Sequence, residues 1–230
     1  MNNWKVFDST QQLDIELAEQ IASCLKRDIT QRGSASLAVS GGNTPRSMFK
    51  QLSNCELAWP EVDIVLVDER WVALDSADSN ERLVRDNLLQ KRACGARLHS
   101  LKTLDAEPEA ALDELNKRLA QIRLPFSAVV LGMGGDGHTA SWFPRASNLN
   151  ELMDPAGTVA LAVTDPVTAP HRRVTLTFPA VLNADNIIIH ITGEDKKSVL
   201  QGASDNGAPI AAILNQSKTP VSIWWAPNDE

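Results

Sequence analysis

Apolar residues recur at four-residue steps through Leu13, Leu17, Ile21, Leu25 and Ile29, with charged and amide side chains between them. That spacing predicts an amphipathic helix. Ser9 and Gln12 stand ahead of it at capping-box spacing, and Gly33 closes it as a residue at ease in the left-handed conformation. The pattern then changes. Ser36-Leu37-Ala38-Val39 is a short apolar run ending on Gly41-Gly42, which reads as a buried strand feeding a glycine turn. Thr44-Pro45 predicts a second helix, with Thr44 as cap and Pro45 in the first turn, carrying Met48, Phe49 and Leu52.

The strand-and-helix unit recurs with different content. Residues 62–67 form an apolar run, followed by a polar stretch and a helix through Leu83, Leu88 and Leu89 capped at Ser79. A helix over 108–119 leads to a strand over 128–131 and a second glycine cluster, Gly132 to Gly137. Further strands are expected at 159–163, 174–178, 187–191 and 221–225, with a helix over 196–201 between the last two. Continuous β-branched runs alternating with helices predict an α/β fold: a three-layer, Rossmann-like, mostly parallel sheet with helices on both faces. No linker, repeat or low-complexity tract divides the chain, so residues 1–230 are expected to form a single domain. In such sheets the ligand sits at the carboxyl ends of the strands.

Composition narrows the function class. With 43% hydrophobic and 22% charged residues in 230, the chain has material for a buried core, and disorder is excluded as its main state. The net charge of -7 argues against a nucleic-acid partner, which needs a basic footprint, yet leaves room for a small anion held by a local Arg and Lys cluster. Cys24, Cys55 and Cys94 are odd in number and contain no C-x-x-C pair, which points to a reducing compartment and to no zinc site. No apolar leader precedes Asp8 and no run is long enough to span a bilayer, so a cytoplasmic protein without a membrane partner is expected.

Candidate chemistry gathers at the predicted strand ends. In Ser40-Gly41-Gly42-Asn43-Thr44-Pro45-Arg46 the glycines let backbone amides approach an anion at a helix N-terminus. A Gly-Gly pair is also an ordinary tight turn, and the flanking hydroxyls of Ser40 and Thr44, with Arg46 one turn on, favour anion binding. Gly132-Met133-Gly134-Gly135-Asp136-Gly137 satisfies G-x-G-x-x-G formally, but Pro144 comes too soon for a crossover helix, so no dinucleotide site is expected. His138 comes directly after this cluster, two positions from the Asp136 carboxylate. An imidazole, which titrates near pH ~6.5 when unperturbed, suits general-base work, although histidine also serves as a surface or capping residue.

Strand alternation sets Asp68 and Arg70 on one side and Glu69 on the other, so the first two can share a cleft or simply form a solvated charge run. The same alternation groups Arg173 with Thr175 and Thr177 and sends Arg172 to the opposite face. Lys196 lies just past a strand end, where it is either an anion-binding cation or a solvated helix lysine. His190 interrupts an apolar run and is expected to be a hydrogen-bonded sheet residue. His99 and His171 have no partner at metal-ligand spacing.

Taken together, Ser40 to Pro45, Asp68-Glu69-Arg70 with Asp78-Ser79-Asn80, Gly132 through Ser141, and Arg173 to Thr177 resemble the bacterial 6-phosphogluconolactonases, within the superfamily that also holds glucosamine-6-phosphate deaminase. The resemblance covers almost the whole chain with its motifs in family order. It implies hydrolysis of 6-phospho-D-glucono-1,5-lactone without metal or organic cofactor. It further implies His138 as general base, Asp136 as the group that orients it, and a sugar-phosphate site from Ser40, Gly41, Gly42, Asn43, Thr44, Asp68, Arg70, Arg173 and Lys196. Asn43, Gly135 and Trp142 depart from residues common in the family. The deaminase motif carries a glutamate five residues after the histidine, where this chain has Phe143, so deamination is disfavoured. A sugar-phosphate-binding domain without turnover is the remaining alternative. The oligomeric state is not legible in the sequence.

Overall fold

The computed structural model describes residues 3–228. In chain order its elements are β1 (Asn3–Val6), α1 (Thr10–Arg32), β2 (Ala35–Val39), α2 (Pro45–Leu52), β3 (Val62–Leu66), β4 (Asp68–Arg70), α3 (Asn80–Asn87), β5 (Arg97–His99), α4 (Pro108–Leu119) and β6 (Ala128–Leu131). They continue with α5 (Leu149–Leu152), β7 (Leu161–Thr164), β8 (Arg173–Leu176), α6 (Phe178–Leu182), β9 (Ile187–Thr192), α7 (Glu194–Gln201), α8 (Ile210–Asn215) and β10 (Val221–Ala226). Seven strands form one parallel sheet in the order β1-β10-β9-β6-β2-β3-β5. Every residue of β2, β3 and β6 is buried, as parallel strands covered on both faces must be. None of the helices among the described residues is long and apolar enough to cross a membrane.

Local chemistry sets the helix ends. Ser9, in extended backbone, accepts a hydrogen bond from the Gln12 amide at 3.2 Å, while the Gln12 side chain turns to Glu16 rather than completing the box. Gly33 ends α1 at φ 82° and donates to the Ile29 carbonyl. Thr44 departs from the expected cap: it is already helical at φ -53° and ψ -46°, so its hydroxyl makes no capping bond.

A second sheet, β4-β8-β7, is antiparallel, a feature the hydrophobic pattern does not predict. The expected strand 62–67 leaves the parallel sheet after Leu66. Val67 bridges the two sheets, its amide on the Val39 carbonyl and its carbonyl accepting from Leu176, each at 2.8 Å. The strand expected at 174–178 begins at Arg173 and stops at Leu176, because Phe178 already opens α6 with Pro179 in its first turn. This small sheet stands at the carboxyl end of β3, and its pairing puts Asp68 opposite Thr175 and Arg70 opposite Arg173.

Candidate active site

A cleft of about 350 Å³ opens at the carboxyl ends of β2, β3, β6 and β9. Its lining brings together Ser40, Gly41, Gly42, Asn43, Thr44, Asp68, Arg70, His138, Arg173 and Lys196. Asp136 stands behind the lining, against His138. Arg46 is exposed on α2 and takes no part, because its helical position turns it away from the Gly41-Gly42 loop.

The glycine segment after β6 builds the His138 seat. Gly132 is fixed through its amide to Ser40 Oγ at 3.2 Å and its carbonyl to Thr139 Oγ1 at 2.8 Å. The Gly134 amide donates to the His138 carbonyl at 2.9 Å, closing a tight turn, and no helix begins until Leu149. A Cβ on Gly134 would lie 2.2 Å from His138 Cε1, so only glycine leaves the imidazole its place. Asp136 Oδ1 accepts from the His138 amide at 3.1 Å and lies 2.5 Å from His138 Nδ1. Burial alone would raise the Asp136 carboxyl, but these two His138 contacts hold it below the usual carboxylate range. With Nδ1 engaged, Nε2 is the ring nitrogen without a hydrogen-bond partner among the described residues. Ala140, just beyond, is held at φ 50°, a strained position at the cleft wall.

The small sheet supplies charge. Arg173 is buried; its Nε and Nη2 donate to the His171 and Pro170 carbonyls, and its Nη1 lies 3.6 Å from Asp68 Oδ2. Burial lowers its proton affinity. The same Asp68 oxygen accepts the Ser141 hydroxyl at 2.6 Å. Arg70 donates from Nη1 to the Asp78 carbonyl at 2.6 Å, while its buried Nε lacks a hydrogen-bond partner among the described residues. Lys196, half-buried at the start of α7, has no ion-pair partner among the described residues, and burial lowers its pKa. Arg172 turns outward to Glu107 and Glu109, as strand alternation requires.

Glu69 faces away from the cleft and binds the start of α3. Its Oε1 accepts from the Arg70 and Asn80 amides at 2.7 and 2.8 Å, and its Oε2 from the Glu81 amide at 2.7 Å and the Ser79 hydroxyl at 3.1 Å. A carboxylate on a helix N-terminus both satisfies free amides and meets the favourable end of the helix dipole. Asn80, thus placed, donates to the Asp68 carbonyl at 2.8 Å and occupies the space a Cβ on Gly41 would need.

Phe143, His171 and His190 line the cleft without having been named as site residues, and Asp78 and Asn80, named only within the family motif, line it too. Asn80 follows the predicted Ser79 cap, but only the fold shows which face it presents. His190 corrects an expectation. Its ring stands off the sheet toward α1, away from ladder groups, and makes no hydrogen bond among the described residues, with Asp14 Oδ1 3.4 Å away. His171, at φ 68°, contacts Asp78 at 3.1 Å across the cleft mouth. Trp142, fully buried, donates to the Leu176 carbonyl at 2.9 Å and packs edge-on to Phe178.

Residues 8–224 match the family model described as glucosamine-6-phosphate isomerases/6-phosphogluconolactonase. The chain is 43% identical over 229 residues to a 6-phosphogluconolactonase of Mesorhizobium japonicum, covering 98% of this chain and 95% of that one. It superposes on the crystal structure of a 6-phosphogluconolactonase from Shewanella baltica with a TM-score of 0.95 and 43% identity, covering 98% of both chains. A monomeric glucosamine-6-phosphate deaminase shares the fold at a TM-score of 0.78 and 15% identity over 98% of this chain and 97% of that one.

Proposed function

Since the chain belongs to the glucosamine-6-phosphate isomerase and 6-phosphogluconolactonase family, we infer that its cleft hydrolyses 6-phospho-D-glucono-1,5-lactone to 6-phospho-D-gluconate, the lactone-opening step of the oxidative pentose phosphate pathway. The observation that carries this reading is the 2.5 Å Asp136–His138 pair set in a cleft that Arg70, Arg173 and Lys196 also line. A single domain over residues 1–230 and a cytoplasmic setting go with it.

His138 is the general base in this mechanism. Asp136, ionised, holds the proton on Nδ1 and leaves the Nε2 lone pair for water. Nε2 takes one proton as the water oxygen bonds to the lactone carbonyl carbon, whose π electrons move onto oxygen. When the tetrahedral intermediate collapses, the bond to the ring oxygen breaks and that oxygen takes the proton back from the imidazolium. Arg70, Arg173 and Lys196 bind the phosphate dianion by charge-assisted hydrogen bonds, and the Ser40 to Thr44 loop and Asp68 bind the sugar. The histidine–carboxylate pair suffices as base, so the mechanism calls for no metal or organic cofactor.

The test is decay of freshly generated 6-phosphogluconolactone against its spontaneous rate, with chelator present, beside unphosphorylated gluconolactone and glucosamine 6-phosphate. Acceleration confined to the phosphorylated lactone supports the reading. Ammonia released from glucosamine 6-phosphate, or no acceleration of lactone decay, overturns it.

A further inference from the structure

One face of the His138 imidazole is covered by the Phe143 ring, with centroids 4.2 Å apart and planes inclined by 28°. The same ring has the Arg173 guanidinium carbon 5.6 Å from its centroid. Phe143 is buried and lines the cleft. Asp136 engages Nδ1 and Gly134 leaves no room beside Cε1, so the aromatic ring completes a slot for the imidazole. The face of a benzene ring carries negative charge density and attracts a cation within about 6 Å of its centroid. His138 becomes cationic only when it takes a proton, whereas Arg173 is charged throughout. The attraction to the imidazole therefore grows during proton transfer, and an interaction stronger in the transition state than in the ground state accelerates the step.

We propose that Phe143 is a positioning residue for lactone hydrolysis: its ring fixes the plane of the His138 imidazole and stabilises the positive charge His138 acquires, while the same ring also lies against Arg173. The proposal rests on His138 being the base. It assigns a task to a side chain of the cleft wall that acts on the reacting atoms through His138.

Phe143→Leu keeps an apolar side chain of similar bulk and removes the π face, while Phe143→Tyr keeps the ring. The expected result for Phe143→Leu is kcat about 10-fold lower, with KM and 6-phosphogluconate affinity within about 2-fold of wild type. The acid limb of its kcat profile moves to lower pH, because the imidazolium has lost its partner, and Phe143→Tyr restores both kcat and the limb. Wild-type kcat and an unmoved acid limb in Phe143→Leu would overturn the proposal. So would kcat, affinity and Tm falling together with the limb unmoved, since that is loss of packing. His138→Ala, measured alongside, separates the two ideas: turnover retained there removes the base reading and the Phe143 role with it. An inactive His138→Ala beside a wild-type-like Phe143→Leu removes the Phe143 role alone.

Discussion

Arg70 and Arg173 are direct cross-strand partners in the β4–β8 ladder. Two like charges at such a position repel, and the Asp68 carboxylate 3.6 Å from Arg173 offsets the repulsion that Arg70 exerts on it. What the guanidinium lacks is the solvation that burial removes, and a phosphate dianion is a ligand suited to replace it. Arg173→Ala is accordingly expected to weaken 6-phosphogluconate binding about 10-fold or more in calorimetry, the scale of a lost charged hydrogen bond. Inorganic phosphate should raise the Tm of wild type more than that of Arg173→Ala at the same concentration. Equal affinities in the two proteins would place the phosphate elsewhere.

Asp136 contacts His138 Nδ1 at 2.5 Å and is not among the residues that line the cleft. In Asp136→Asn an amide replaces the acceptor and its NH2 disfavours the Nδ1–H tautomer. A fall in kcat of about 10²-fold is expected, with product affinity near wild type. Steady-state kinetics paired with product titration checks this; a fall in affinity without a fall in kcat would make Asp136 a binding group.

Gly134→Ala tests the seat by sterics alone. Its Cβ would meet His138 Cε1 at 2.2 Å and Nδ1 at 2.3 Å, so the imidazole must shift. Displacement of a reacting group by about 1 Å costs on the order of 10²-fold in rate. The Tm of this variant should stay close to wild type, because Gly134 requires no left-handed backbone. Unimpaired turnover would mean that the imidazole position is not critical.

Glu69 makes the opposite prediction. Its two oxygens accept four hydrogen bonds around the start of α3, and a glutamine there presents an NH2 to donors. Glu69→Gln is expected to lose about 1–3 kcal/mol of stability, read from denaturant unfolding, the cost of buried donors left unpaired. A variant as stable as wild type would show that α3 does not need this carboxylate.

Much of the fold is legible in the sequence because periodicity and turn chemistry are local. The four-residue steps from Leu13 to Ile29, the apolar runs of β2, β6 and β9 and the glycines at 41, 42 and 134 each announce their own conformation. Alternation likewise separates Asp68 and Arg70 from Glu69, and Arg173 from Arg172. The hidden features depend on pairing between distant segments. The β4–β8 ladder is set by chain separated by about a hundred residues, and nothing near Arg70 announces Arg173. β1 and β5 are short strands of mixed polarity that become strands by joining a sheet edge. The role of Glu69 requires knowing where α3 begins in space, and the stacking of Phe143 on His138 depends on a turn through Ala140 in a conformation sequence rules disfavour.

Hydrolysis of freshly generated 6-phosphogluconolactone by wild type and His138→Ala, each against the spontaneous rate, tests the role of the imidazole most directly. Wild type accelerates the reaction, and His138→Ala loses about 10²-fold or more of kcat while binding 6-phosphogluconate as wild type does. A His138→Ala protein that turns over at the wild-type rate would contradict the assignment of the base.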